Sequence, residues 1–302
     1  MPKTNGALSD YKIVSSYNAA DLSSSIAKKL SKEHGTVELT EFPDGEFKIR
    51  FDEDYRNSRV LLVHRLYPEA SRSVVALLFM LHKLAENGNS IDIFIPYFAF
   101  GRQDKEFIGG EVVSAAALLQ LLRKYGVKRV FTFDMHSRSA TNVSGLEVID
   151  MPTAALLAKY VNSAVKMKSK IVVAPDRGAE GRAAEAANEL GCDHISLEKR
   201  RDRYTGEVYT SEPTENFSGK DALIIDDIIS TGGTVANASL MLKKKGANAV
   251  YVACTHYLYL ADTETKLFSS GTDKIFATDT INGKFSKVGI ADEFASFYAK
   301  SL

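Results

Sequence analysis

The sequence predicts an α/β fold of two similar domains, each a mainly parallel sheet flanked by helices. Three observations carry that expectation. Short β-branched runs alternate with helical periods through most of the 302 residues, the runs are apolar from end to end, and one strand, loop, helix, glycine, strand pattern occurs twice. Strands that stay apolar along their whole length belong to sheets buried on both faces, and the intervening helices supply the cover.

In chain order, YKIVS (11–15) reads as a strand and AADLSSSIAKKL (19–30) as the helix after it. A short strand then leads into FPDGE (42–46), and FKIRF (47–51) continues beyond it as another. RVLLV (59–63) precedes the helical SRSVVALLFMLHKLAENG (71–88), IDIFIPY (91–97) precedes EVVSAAALLQLLRKYG (111–126), and KRVFTF (128–133) is the next strand. In the second half, KIVVAP (170–175) is followed by GAEGRAAEAANELG (178–191), ALIID (222–226) by TVANASLMLKKKG (234–246), and AVYVACTHY (249–257) closes the series. HISLE (194–198) and GEVYT (206–210) read as two further strands joined by a charged run. Four helices close on Gly88, Gly126, Gly191 and Gly246, the residue type that a helix C-terminal cap favours.

The repeat pairs residues 59–97 with residues 221–257. The first copy has His64 and Arg65 where the second has Asp226 and Asp227, and only the second has a Thr-Gly-Gly-Thr loop. The expected division is therefore 1–150 and 151–302, with the boundary near MPT (151–153) and the last helix able to pack back on the first domain.

Composition narrows the function classes. With 45% hydrophobic and 25% charged residues, and 38 basic against 38 acidic side chains, nothing points to disorder or to a nucleic-acid partner. Cys192 and Cys254 lie far apart without metal-ligand spacing, which favours a reducing cytoplasm over a disulfide framework. The longest apolar run, residues 74–81, is too short to span a bilayer, so no membrane partner is expected.

The stretch ALIIDDIISTGGT (222–234) carries the chemistry. An apolar strand ends in an acid pair, then in a loop with almost no side chain to pack. Ligands collect at the carboxyl ends of parallel strands. Successive N–H groups of Ser230, Thr231, Gly232, Gly233 and Thr234, together with the start of a helix, form a nest for a phosphate monoester. Asp226 and Asp227 would repel that phosphate, and instead suit ribose hydroxyls or a divalent cation. A sugar phosphate satisfies both halves of the motif.

This stretch resembles the 5-phosphoribosyl 1-pyrophosphate (PRPP) binding motif of type I phosphoribosyltransferases, which usually has a third acid where this chain has Ser230. Four further stretches extend the resemblance, over nearly the whole chain, to the ribose-phosphate pyrophosphokinase (PRPP synthetase) family. FPDGE and GRQDK (101–105) resemble its two ATP-contacting segments. DMH (134–136) and APDRG (174–178) resemble its metal and nucleotide segments, and EKRRDR (198–203) its flexible catalytic loop.

The resemblance implies two phosphoribosyltransferase-like domains and transfer of a pyrophosphoryl group from ATP to the C1 hydroxyl of ribose 5-phosphate. It implies catalytic roles for Lys199 and Arg201, and ATP contacts from Phe42, Asp44, Gly45, Glu46, Arg102, Gln103 and His136. The sugar phosphate would fall to Arg201, Asp226, Asp227 and the 230–234 loop, and Mg2+ to His136 and Asp176, with Asp134 a weaker candidate. It further implies a homo-oligomer in which the 42–46 turn reaches ATP held by a neighbouring subunit. A non-catalytic PRPP-synthetase-associated regulatory protein and a phosphoribosyltransferase are the alternatives. The chain departs from the family in having Gly178-Ala179 where a Gly-Gly pair is common, and in lacking an Asn-rich pattern over 67–73. No GxxxxGK[ST] or GxGxxG loop is present, so ATP must be held by other means.

Overall fold

The computed structural model describes residues 11–139, 141, 146–197, 199–201, 208–210 and 215–302. Among them, the chain runs β1 (Tyr11–Ser15), α1 (Ala20–Leu30), β2 (His34–Glu41), β3 (Phe47–Phe51), β4 (Arg59–Val63), α2 (Ala70–Glu86), β5 (Ser90–Phe94), α3 (Ser114–Lys124), β6 (Val127–Phe133) and β7 (Glu147–Met151). It continues through α4 (Ala154–Val165), β8 (Lys170–Ala174), α5 (Glu180–Leu190), β9 (Asp193–Ser196), β10 (Lys199–Arg201), β11 (Val208–Thr210) and β12 (Asp221–Ile229). The last elements are α6 (Gly233–Lys244), β13 (Ala249–Tyr257), α7 (Thr263–Ser269), β14 (Lys274–Thr278), β15 (Ser286–Val288) and α8 (Ala291–Lys300).

Two compact units result. Residues 11–151 join Ile290–Leu302 in the first, and Pro152–Gly289 form the second. Among the described residues the first unit's sheet has seven strands in the order β3-β2-β1-β4-β5-β6-β7, all parallel except the antiparallel β2–β3 pair. The second unit's sheet, in the order β15-β14-β13-β12-β8-β9, is parallel throughout. The repeated pattern appears in both as a parallel pair joined through a helix: β4, α2, β5 and β12, α6, β13.

Side-chain alternation explains why the central strands are apolar throughout. Val60 and Leu62 on β4 face the core beneath α2 and α3, whereas Leu61 and Val63 face the core beneath α1 and α8. In the second unit Ala222 and Ile224 pack with α6 and α7, and Leu223 and Ile225 with α4 and α5. The helix periods match: Ser73, Ala76, Leu77, Met80, Leu81 and Leu84 of α2 are buried at three- and four-residue intervals. Gly88, Gly126, Gly191 and Gly246 all have positive φ just beyond their helices, as the sequence requires of them.

The charged run departs from expectation. Lys199–Arg201 is not a link between strands but is itself β10, paired antiparallel with β11 in a register of Lys199 with Thr210 and Arg201 with Val208. The two make a ribbon separate from the larger sheets. Residues 202–207, with Arg203, lie outside the described residues.

Candidate active site

The second unit's sheet places its chemistry at one crevice. From β8 the chain moves to the neighbouring β9, and from β12 it moves the other way to β13, so the carboxyl ends of the adjacent strands β8 and β12 face diverging connections. That is the switch point where open α/β sheets bind ligands. Asp176 follows β8, and Asp226 and Asp227 lie near the end of β12.

Each acid is fixed by a backbone donor. Asp176 Oδ1 accepts the Gly178 N–H at 3.0 Å and so caps the 3-10 turn Arg177–Ala179. Asp226 Oδ1 accepts from Asp227 N, and Asp227 Oδ1 from Ile228 N, each at 2.9 Å. Asp227 is buried and ion-paired with Arg182 of α5, with Nη2 at 3.2 Å from Oδ2. Arg182 Nη1 also donates to the Gly178 carbonyl at 3.3 Å, which ties the turn after β8 to the end of β12. Among the described residues Asp226 has no comparable cation. Burial first, then the charge of Asp227 and more weakly that of Asp176, push its carboxyl well above the usual carboxylate range. Asp226 thus has two acidic neighbours, of which Asp227 already has the Arg182 guanidinium beside it.

The 230–234 loop follows directly. Gly232 sits at φ +70°, a left-handed conformation that a side chain resists, and a Cβ there would come within 3.0 Å of Thr263. Gly233 is different, because a Cβ on it would meet nothing within 4 Å and would only fill the space in front of the loop. The first hydrogen bond of α6 is donated by Ala236 to the Gly232 carbonyl at 2.8 Å. The N–H groups of residues 233–235 therefore have no acceptor one turn back within the helix. Aligned N–H groups, the positive end of a 12-residue helix and open space on the glycine side make an anion cradle.

The other expected residues lie in the first unit or on the ribbon. Residues 42–46 form the turn between β2 and β3, closed by Phe42 N to the Glu46 carbonyl at 2.8 Å and Gly45 N to the Phe42 carbonyl at 3.0 Å. Asp44 Oδ1 accepts the Glu46 N–H at 3.1 Å, Gly45 has φ +89°, and Phe42 presents an exposed ring. Arg102 is exposed. Gln103 instead braces its own loop, with Nε2 donating to Glu111 Oε2 at 3.3 Å and to the Lys105 carbonyl at 3.2 Å. His136 is exposed just beyond β6, while Asp134 is buried at φ +36° with its N–H on the Met151 carbonyl. Lys199 and Arg201 are placed by their backbone in β10. The structure thus gathers Asp176, Asp226, Asp227 and the 230–234 loop in the second unit, and it sets the turn, Arg102, Gln103 and His136 in the first. Arg182 is the residue sequence reasoning passed over. A lone Arg early in a helix carries no motif, and only its reach to Asp227 reveals it.

Comparison with known proteins bears on both units. A family described as the N-terminal domain of ribose phosphate pyrophosphokinase matches residues 11–126, and the phosphoribosyl transferase domain matches residues 147–292. The ribose-phosphate pyrophosphokinase of Sulfolobus acidocaldarius is 37% identical over 266 residues, covering 87% of this chain and 91% of the relative. That of Methanothermobacter thermautotrophicus is 34% identical over 272 residues, covering 89% and 93%. The crystal structure of phosphoribosylpyrophosphate synthetase from Mycobacterium smegmatis shares the fold, with a TM-score of 0.85 at 24% identity over 97% of this chain and 99% of that one.

Proposed function

This chain belongs to the ribose-phosphate pyrophosphokinase family, and from that premise we propose how its own residues carry out the reaction. It is an enzyme that transfers the pyrophosphoryl group of ATP to ribose 5-phosphate, giving PRPP and AMP. The C1 hydroxyl oxygen attacks the β-phosphorus of ATP. The bond from that phosphorus to the oxygen bridging it to the α-phosphorus breaks, AMP leaves with that oxygen, and the hydroxyl proton is lost.

The observation that carries the sugar site is the order along β12: buried strand, acid pair, loop with open space at Gly233, and a helix start. The 5-phosphate lies against the N–H groups of residues 230–234, and Asp226 and Asp227 accept hydrogen bonds from the ribose hydroxyls. Phosphoryl transfer of this kind is mainly positioning and charge stabilisation. Lys199 and Arg201 supply positive charge to the transferring group when their ribbon closes, and Arg201 also meets the sugar phosphate. Arg102, Gln103 and His136 contact ATP. The 42–46 turn, with Phe42, Asp44, Gly45 and Glu46, reaches the nucleotide of a neighbouring subunit in a homo-oligomer.

Among the described residues no group of three or more His, Cys, Asp or Glu side chains is gathered as a ready metal cage, which suits magnesium, an ion that keeps much of its water and takes one or two protein ligands beside substrate phosphates. Asp176 and His136 are each proposed as a ligand. When bound, the ion offsets negative charge on the ATP phosphates. Among the described residues no helix is long and apolar enough to cross a membrane, and the free thiols of Cys192 and Cys254 fit a reducing cytoplasm.

The test is nucleotide chromatography after incubation with ATP, magnesium and ribose 5-phosphate. AMP should form only when the sugar is present. Formation of ADP, or turnover indifferent to the sugar, would overturn the assignment.

A further inference from the structure

A phosphate nest works only if its N–H groups face the ligand. Two side chains of α7 bear on that orientation. Thr263 Oγ1 donates to the Ser230 carbonyl at 2.8 Å, and Lys266 Nζ donates to the Thr231 carbonyl at 2.9 Å. Both peptide bonds concerned are trans. In a planar trans peptide the C=O and the following N–H point in opposite directions. Holding the Ser230 and Thr231 carbonyls toward α7 therefore turns the Thr231 and Gly232 N–H groups away from it. Among the described residues neither of those N–H groups meets an acceptor.

Packing shows the same two-sidedness. The loop's back is pressed onto α7, where a Cβ at Gly232 would lie 3.0 Å from Thr263 Cγ2 and 3.4 Å from the Leu267 side chain. Its front is open at Gly233. Thr263 and Leu267 are buried, so this wall is part of the core, whereas Lys266 is exposed and keeps its ammonium at the rim of the loop.

We propose that Thr263 and Lys266 are positioning residues for the sugar phosphate, acting by anchoring the carbonyls of Ser230 and Thr231 so that the loop's N–H groups are aimed at the ligand before it arrives. The proposal rests on the reading of residues 230–234 as the ribose 5-phosphate nest. Pre-orientation spares the loop the cost of rearranging its peptides on binding.

The test is steady-state kinetics with both substrates on Thr263→Val, Lys266→Met, the rescue variants Thr263→Ser and Lys266→Arg, and Gly233→Val. Valine keeps the shape of threonine and removes only the donor. Each loss variant should raise the KM for ribose 5-phosphate about tenfold, the scale of one hydrogen bond to a buried or charged partner. The KM for ATP and kcat should stay within about twofold, and each rescue variant should return close to the starting protein. If Gly233→Val raises the sugar KM while Thr263→Val and Lys266→Met do not, the nest stands and the anchoring role falls. If Gly233→Val also leaves the sugar KM unchanged, the nest itself is misplaced and the proposal falls with it. Equal rises for both substrates, unrelieved by serine or arginine, reduce the two residues to general supports of the unit and overturn their positioning role.

Discussion

Asp226 is held where burial disfavours its charged form. Its carboxyl titrates above the ordinary range because of burial, then Asp227, then Asp176. Between the unfolded and the folded pKa, the folded chain binds more protons at this residue than the unfolded chain does. Stability of the unliganded protein therefore falls as pH rises through that window. Asp226→Asn should raise the melting temperature at neutral pH, give no gain in acid below the window, and depress turnover. A lower neutral-pH melting temperature for Asp226→Asn would count against this account. Arg182 has the opposite character. Removing it strands buried Asp227 without its ion partner, a change that costs about 3–5 kcal/mol in comparable buried pairs. Urea unfolding of Arg182→Ala should show a loss on that scale, with Arg182→Lys recovering part of it. The acid pair and the glycine loop were legible in the sequence because they are contiguous and break the pattern of the strand that carries them. Arg182, Thr263 and Lys266 were not, since they act from other elements and nothing in their local sequence marks the atom they touch.

Elements were legible to the extent that their burial was symmetrical. β4, β5, β8, β12 and β13 are covered on both faces and stand out as apolar runs. EVIDM, which forms β7, has two acids in five residues because it lies at the edge of its sheet, so it gives no such signal. Of the ribbon, β11 falls within GEVYT, which reads as a strand, whereas β10 could not be read from KRRDR, because charge says nothing of strand pairing. Its role is nonetheless testable. Lys199→Ala should lower kcat by roughly a hundredfold or more with little change in KM, the scale for losing one charge-stabilising donor in the transition state, and Arg201→Ala should lower kcat on the same scale while also raising the KM for ribose 5-phosphate. Arg203→Ala is the control. Identical behaviour of all three would mean that the run contributes only a general field. α8 makes a separate demand on its unit: Phe294 stacks on Phe94 at 3.9 Å between ring centroids, and Tyr298 donates to buried Asp92 at 3.1 Å. Phe294→Ala should cost the first unit about 3–5 kcal/mol, read by chemical denaturation.

At the scale of the whole chain, the two units are not consecutive in sequence. The second occupies Pro152–Gly289, and the first is completed only by Ile290–Leu302. Arg129 reaches Ser301, with Nη1 donating to its carbonyl at 2.9 Å and to its hydroxyl at 3.1 Å, and the α8 aromatics cover Tyr11, Phe94 and Phe131. Deleting residues 290–302 should therefore destabilise the first unit although the cut is made beside the second. Limited proteolysis of the truncated chain should nick residues within 11–151 first and leave 152–289 protected. Unchanged protease resistance of the first unit would refute this. The same threading governs birth on the ribosome. The first unit begins synthesis before the second, yet it cannot bury Phe94 and Phe131 until the final helix has left the exit tunnel. At ordinary elongation rates the second unit alone takes on the order of ten seconds to emerge. For that interval the older half of the nascent chain carries an open aromatic face, and it is the half that must be shielded from premature association.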